Sequence, residues 1–197
     1  MGQAEILATT QTAEGGEALV ILALESYHDS LMSREDFEFQ DIPQAYFITF
    51  RGHGTWLHGD KRGSVDRNHN RFGSPRLMPN ERRHHLNLGR LKRKPDRLPE
   101  EQRAIVETAI KETCRARHWD LWVVNARSNH IHAVVSAPCK PERVLNALKA
   151  NATRKLREAG YCRNPDSPWA ERGSKKYLWT EQDVIDAVVY VQYEQGE

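Results

Sequence analysis

The chain alternates between segments with a clear apolar period and segments with none. "AYFITF", Ala45–Phe50, is β-branched and aromatic and reads as a buried strand. In "EEQRAIVETAIKETCRARH", from Glu100, apolar residues recur at Ile105, Val106, Ala109, Ile110 and Cys114, a helical stripe. "WDLWVVNA" and "HIHAVVSA" are apolar runs separated by the short polar "RSN", which predicts a β-hairpin. From Pro141, Val144, Leu145, Leu148, Ala152 and Leu156 make one helical face, and Gly160 ends it. Residues 160–176 read as a loop. "YLW" leads to Thr180, an N-cap with Asp183 three residues on, and a last helix from about Glu181 to Gln195. Strands and helices in this order predict an α+β domain, a small antiparallel sheet with helices on one face.

Between these elements lies a long aperiodic stretch, 51–98, rich in Gly, Asn and Pro. From Arg51 to Arg97 it carries thirteen Lys/Arg against four acids, with Trp56 and Phe72 interleaved. Basic residues with scattered aromatics suit a single-stranded backbone and its bases, although such loops also simply solvate themselves. Residues 1–40 carry net charge −7 and show no clean period apart from Ile21–Met32. We read them as an acidic accessory arm, expected to be partly disordered, ahead of a domain spanning 41–197. That domain carries +9, which points towards a polyanionic partner.

Three widely spaced cysteines, Cys114, Cys139 and Cys162, give neither a disulfide framework nor a thiolate zinc site. The longest apolar run near the start, "ALVILAL", is about a third of a spanning helix, and no basic residue precedes Arg34. A cytoplasmic protein without membrane contact is the expectation.

His130 and His132 fall one residue apart on a strand and so point to one face, with Val134, while Ile131, Ala133 and Val135 face the core. Two imidazoles on one face can share a cation. Nine histidines in this length give roughly 0.4 such pairs by chance, so the pair alone says little. Its setting says more, because two histidines on an otherwise apolar strand are costly unless partnered. Val134 stands where a histidine-triad hydrolase needs a third histidine, and no second His-x-Ser/Thr motif supports a two-histidine phosphodiesterase. Tyr190, on the last helix, shares a polar face with Asp183, Asp186 and Glu194, while Val184, Val188 and Val191 form another. Taken by itself it reads more readily as an amphipathic surface tyrosine than as an activated nucleophile.

"NHIHAVV" resembles the His-hydrophobe-His (HUH) motif of single-tyrosine transposases of the insertion-sequence-200/605 type, including the REP-associated tyrosine transposases. "AYFITFRGHGTWLHGD", "PERVLNALKANATRKLREAG" and "LWTEQDVIDAVVYVQYEQG" are similar to that family in the same order, over about 44–196. The resemblance implies a ferredoxin-like sheet with the histidines on a central strand. It implies His130 and His132 as ligands of Mg²⁺ or Mn²⁺. It implies Tyr190 as the nucleophile on single-stranded DNA, giving a 5′-phosphotyrosine and a free 3′-OH. The family often has an amide ligand four residues after its tyrosine; here Glu194 stands there, with Gln195 next. Many members are dimers that bind hairpin DNA, so a homodimer is a candidate assembly. Arg51, Lys61, Arg62, Arg67 and Arg71 of the insert, and Lys149, Arg154 and Lys155 of the helix from Pro141, are the expected DNA-backbone contacts. A domesticated, non-catalytic nucleic-acid-binding module is the alternative, and a metal-only phosphodiesterase a weaker one.

Overall fold

A computed structural model describes residues 42–64, 75, 77–162 and 167–193. The acidic arm expected over 1–40 lies outside them. Residues from Pro43 onward form one unit. In chain order they give β1 (Ala45–Arg51), α1 (Glu81–Gly89), α2 (Glu100–Arg117), β2 (Asp120–Ala126), β3 (His130–Ser136), α3 (Pro141–Glu158), β4 (Ser174–Leu178) and α4 (Glu181–Tyr193).

The four strands form one antiparallel sheet in the order β2-β3-β1-β4. Without α1 and α4, the order β1-α2-β2-β3-α3-β4 on that sheet is the ferredoxin-like arrangement. β2 and β3 are the expected hairpin, closed by Arg127 N–H donating to His130 O (2.8 Å). Strand alternation sends Tyr46, Ile48 and Phe50 to the face that Ile131, Ala133 and Val135 share. There they meet Val106 and Ile110 of α2 and Val144, Leu145 and Leu148 of α3 in the main core. Truncating a fully buried side chain such as Leu148 to alanine would cost about 2–5 kcal/mol.

Local chemistry sets the helix ends. Pro141 is pre-organised for the first turn of α3. Gly160 adopts φ +80° just past its end, and Tyr161 N–H returns to Leu156 O (2.9 Å). α4 opens on the expected reciprocal cap. Asp183 N–H donates to Thr180 Oγ1 (3.1 Å), and Thr180 N–H to Asp183 Oδ2 (3.1 Å).

α2 and α3 cover the core face, as the pattern predicts. α4 lies over the other face, where Tyr190 meets Phe47 and His132 and where Val134 is fully buried. β4 and α1 are additions to the predicted elements. β4 begins inside the expected loop, because its Ser-Lys-Lys start is an edge strand held to β1 by backbone pairing and carries no apolar alternation. α1 interrupts the aperiodic stretch and buries none of its residues. Its identifiable local signal is Asn80, whose side chain caps Arg83 N–H (2.8 Å). Among the described residues no helix is long and apolar enough to cross a membrane.

Candidate active site

The register of the central strands builds a polar row on the face away from the main core. His132 on β3 is opposite Thr49 on β1 and Asn125 on β2, and His130 is opposite Arg51 at the end of β1. The two imidazoles meet edge to face with ring centroids 4.6 Å apart. Phe47 stacks on His132 at 5.2 Å.

His132 is buried. Burial pushes its pKa down to about 3, aided by the neighbouring His130 and Arg127, so the ring is neutral at ordinary pH. Its Nδ1 lies 2.8 Å from Thr49 Oγ1. His130 Nδ1 pairs with Asn129 Oδ1. An amide oxygen only accepts, so that nitrogen carries a proton, and Nε2 is the atom that the neutral ring would offer to a cation.

α4 carries Tyr190 to this row. The Tyr190 ring centroid is 6.0 Å from that of His132 and 6.0 Å from that of Phe47, edge-on in both contacts. It is 40% exposed, while Val184, Val188 and Val191 on the same helix are buried. Asn125 Nδ2 donates to Val191 O (3.0 Å), tying the helix to β2 one residue beyond the tyrosine. The structure thus brings His130, His132 and Tyr190 together. Glu194 and Gln195, the expected third ligands, lie outside the described residues. Among the described residues no group of three His, Cys, Asp or Glu assembles. Two imidazoles on one face nevertheless fit a divalent cation as a partial donor set.

The profile of the family described as "Transposase IS200 like" matches residues 82–187. That span is more than half of the chain and contains both histidines. The chain belongs to the IS200-like transposase family. Membership supports a role in DNA transposition. The match begins after β1 and ends three residues before Tyr190, so those two parts of the site rest on geometry. Among curated proteins, no relative matches the chain. A solved structure, that of a REP-associated tyrosine transposase bound to a REP hairpin, is similar with TM-score 0.43 and 12% identity, over 80% of this chain and 70% of that one.

The basic residues of this transposase fall into separate places. Arg51 lies on the histidine face, and its guanidinium carbon sits 5.0 Å from the Trp56 ring centroid. Arg62 covers the same ring at 4.5 Å, and its guanidinium donates to both Asp60 oxygens (2.8 Å each). Lys61 is exposed in that loop. Arg67 and Arg71 lie outside the described residues. Lys149, Arg154 and Lys155 belong to α3, whose apolar side packs on the opposite face of the sheet. Lys149 Nζ donates to Ala170 O (2.8 Å) and, at longer range, to Glu171 O and Arg172 O. Arg154 pairs with Glu158 (2.7 Å), and Lys155 with Glu112 (3.2 Å). Thr49, Asn125 and Phe47 were not singled out from the sequence; apart from Asn125 standing as a polar residue inside an apolar strand, nothing in it marks them.

Proposed function

We propose that the protein is a metal-assisted, single-tyrosine transposase that cleaves and rejoins single-stranded DNA. The observation that carries this reading is the approach of Tyr190 to His132, 6.0 Å between rings, on the face that also displays His130.

In the cleavage step Tyr190 Oη attacks phosphorus. The Oη–P bond forms, the P–O3′ bond breaks, the phenol proton leaves to solvent and the departing 3′ oxygen takes one up. The products are a 5′-phosphotyrosine and a free 3′-OH, and rejoining reverses the bonds with a new 3′-OH. His130 and His132 would hold Mg²⁺ or Mn²⁺, with Glu194 the candidate third ligand. A divalent cation there supplies Lewis-acid polarisation of the phosphate. Thr49 and Asn129 orient the two imidazoles, as partners of metal-binding histidines generally do. Asn125 fixes the end of the helix bearing the nucleophile. An unpaired strand suits a partly exposed tyrosine on the rim of a packed helix, since no complementary strand blocks its approach.

The test is a denaturing gel after incubation with a hairpin-bearing single-stranded oligonucleotide and Mn²⁺. We expect a covalent protein–DNA adduct that Tyr190→Phe abolishes. An adduct that survives Tyr190→Phe would overturn the assignment. Salt-sensitive binding with no adduct, unchanged by Tyr190→Phe, would favour a non-catalytic nucleic-acid-binding module.

A further inference from the structure

Three cations gather at the end of β1, and their partners differ. Arg62 is committed to Asp60 on both oxygens and to Thr55 O (3.0 Å). Lys149 is committed to the carbonyls of 170–172. The Arg51 guanidinium has no oxygen acceptor among the described residues; what it has is the face of Trp56. Burial and the nearby Arg62 both disfavour its charged form, and Asp60 offsets them only in part. A half-buried guanidinium whose charge is only partly compensated can take up an anion.

Its position is fixed. Arg51 is the cross-strand partner of His130, so their Cβ atoms are about 4.5–5.5 Å apart on one face of the sheet. Ala170 N–H donates to Arg51 O (2.8 Å), and Gly52 N–H donates to Asn129 O (3.0 Å), so the backbone is held on both sides. Gly52 is required there, because a Cβ would lie 2.1 Å from Asp96 O. Trp56 is itself pinned by Nε1–H donating to Gly63 O (2.7 Å). A cation–π contact with the ring uses none of the guanidinium N–H donors as hydrogen bonds, and their fork matches two oxygens of a phosphodiester.

We propose that Arg51 binds the phosphate of the DNA strand at the His130–His132 site and that Trp56 is its positioning residue. This rests on the single-tyrosine reading and gives β1, which the family match does not reach, a part in the chemistry. Arg51 neutralises charge on the phosphate oxygens as Tyr190 attacks and the 3′ oxygen leaves.

The test uses the full chain with a single-stranded oligonucleotide and Mn²⁺ under single-turnover conditions, with thermal melting to confirm folding. Arg51→Ala is expected to slow adduct formation at saturating DNA by about 100-fold, and to reduce the slope of log affinity against log salt by roughly 0.7, one phosphate contact on a single strand. Arg51→Lys should restore the salt slope but leave the rate at least tenfold low, because the fork is lost while the charge stays. Trp56→Ala should lower the rate at saturation more than the affinity, and Trp56→Phe should restore most of it. If Arg51→Ala does not fold, Arg51→Lys and Trp56→Phe carry the test. Adduct formation at the wild-type rate in Arg51→Ala, or in Arg51→Lys where that variant stands in, would overturn the proposal and leave the Tyr190 reading intact. If the wild type gives no adduct, the Tyr190 reading fails. The Arg51 contact is then judged by the salt slope alone: a drop of roughly 0.7 in Arg51→Ala supports it, and an unchanged slope overturns it.

Discussion

Replacing Thr49 with valine isolates one hydroxyl. The two side chains are nearly the same shape, both are β-branched, and both suit a strand. What disappears is the oxygen 2.8 Å from His132 Nδ1. In the metal-free protein a buried imidazole nitrogen then loses its partner, which costs about 1–3 kcal/mol. Urea denaturation in chelator should show that loss as a lower midpoint with an unchanged slope. The larger consequence concerns the ring's orientation and its proton. His132 can present Nε2 to a cation only while Nδ1 carries the proton, and in that tautomer Thr49 Oγ1 is placed to accept it. Removing such a partner typically weakens a metal site 10–100-fold, about 1.4–2.7 kcal/mol. Adduct yield measured against Mn²⁺ concentration should therefore half-saturate at 10–100-fold higher Mn²⁺ in Thr49→Val. Thr49→Ser, which keeps the oxygen, should stay within about threefold of wild type. Equal half-saturation in Thr49→Val and wild type would refute the reasoning. So would a serine variant as impaired as the valine, because the methyl group rather than the hydroxyl would then be what matters.

Asn125→Ala removes the hydrogen bond to Val191 O, and should cost about 1 kcal/mol in denaturation while slowing adduct formation about tenfold, since the end of α4 next to Tyr190 loses its tether. The Arg62 hydrogen bonds hold the Asp60 carboxyl at about 2, below its ordinary 3.8, against the opposing effect of its burial. A depressed carboxylate contributes its stability in full above 3.8 and loses it as pH falls towards 2. Asp60→Asn should therefore be about 1–2 kcal/mol less stable near neutral pH, with the gap to wild type closing between pH 4 and 2 in acid-denaturation curves. Burial raises the Cys114 thiol to about 12, with Asp120 adding to the effect. Alkylation at pH 8 followed by peptide mapping should find Cys114 unmodified in the folded chain and modified in urea.

The parts of the fold that bury one regular face could be read from the sequence. The stripes of α2 and α3 and the alternation of β1 and β3 report one core, and they appear where their periods place them. β4 could not be read, because Ser174, Lys175 and Lys176 gain their structure from the β1 backbone and bury little. The valine stripe of α4 shows which side of the helix packs, but no helix pattern encodes which side of a sheet receives it. The same limit applies to the site. His130, His132 and Tyr190 belong to a recognisable motif. Thr49 and Asn125 acquire their roles from cross-strand register, some 80 and 7 residues from His132 in the chain. Charge alone does not report a side chain's partners within the fold. Lys149, Arg154 and Lys155 look available in the sequence, yet each has partners within the fold.

The two faces of the sheet divide the work. The α2–α3 side is dry, large and apolar, so substitutions there should act through stability. The other side carries a polar row under one helix, and α4 has two tasks on it. Its valines are buried with Val134, which would otherwise lie open, and its rim presents Tyr190 partly to solvent. A nucleophile for DNA must be reachable and yet held. The Thr180–Asp183 cap fixes the start of the helix, and the Asn125 bond to Val191 fixes the turn that carries the tyrosine. The spacing of Tyr190 from His132 is therefore set by packing that exists before DNA arrives. In the proposed reaction the reacting groups thus sit on packed elements of the fold, where their geometry is pre-organised, and the basic segment that follows β1 is the candidate for recruiting the strand.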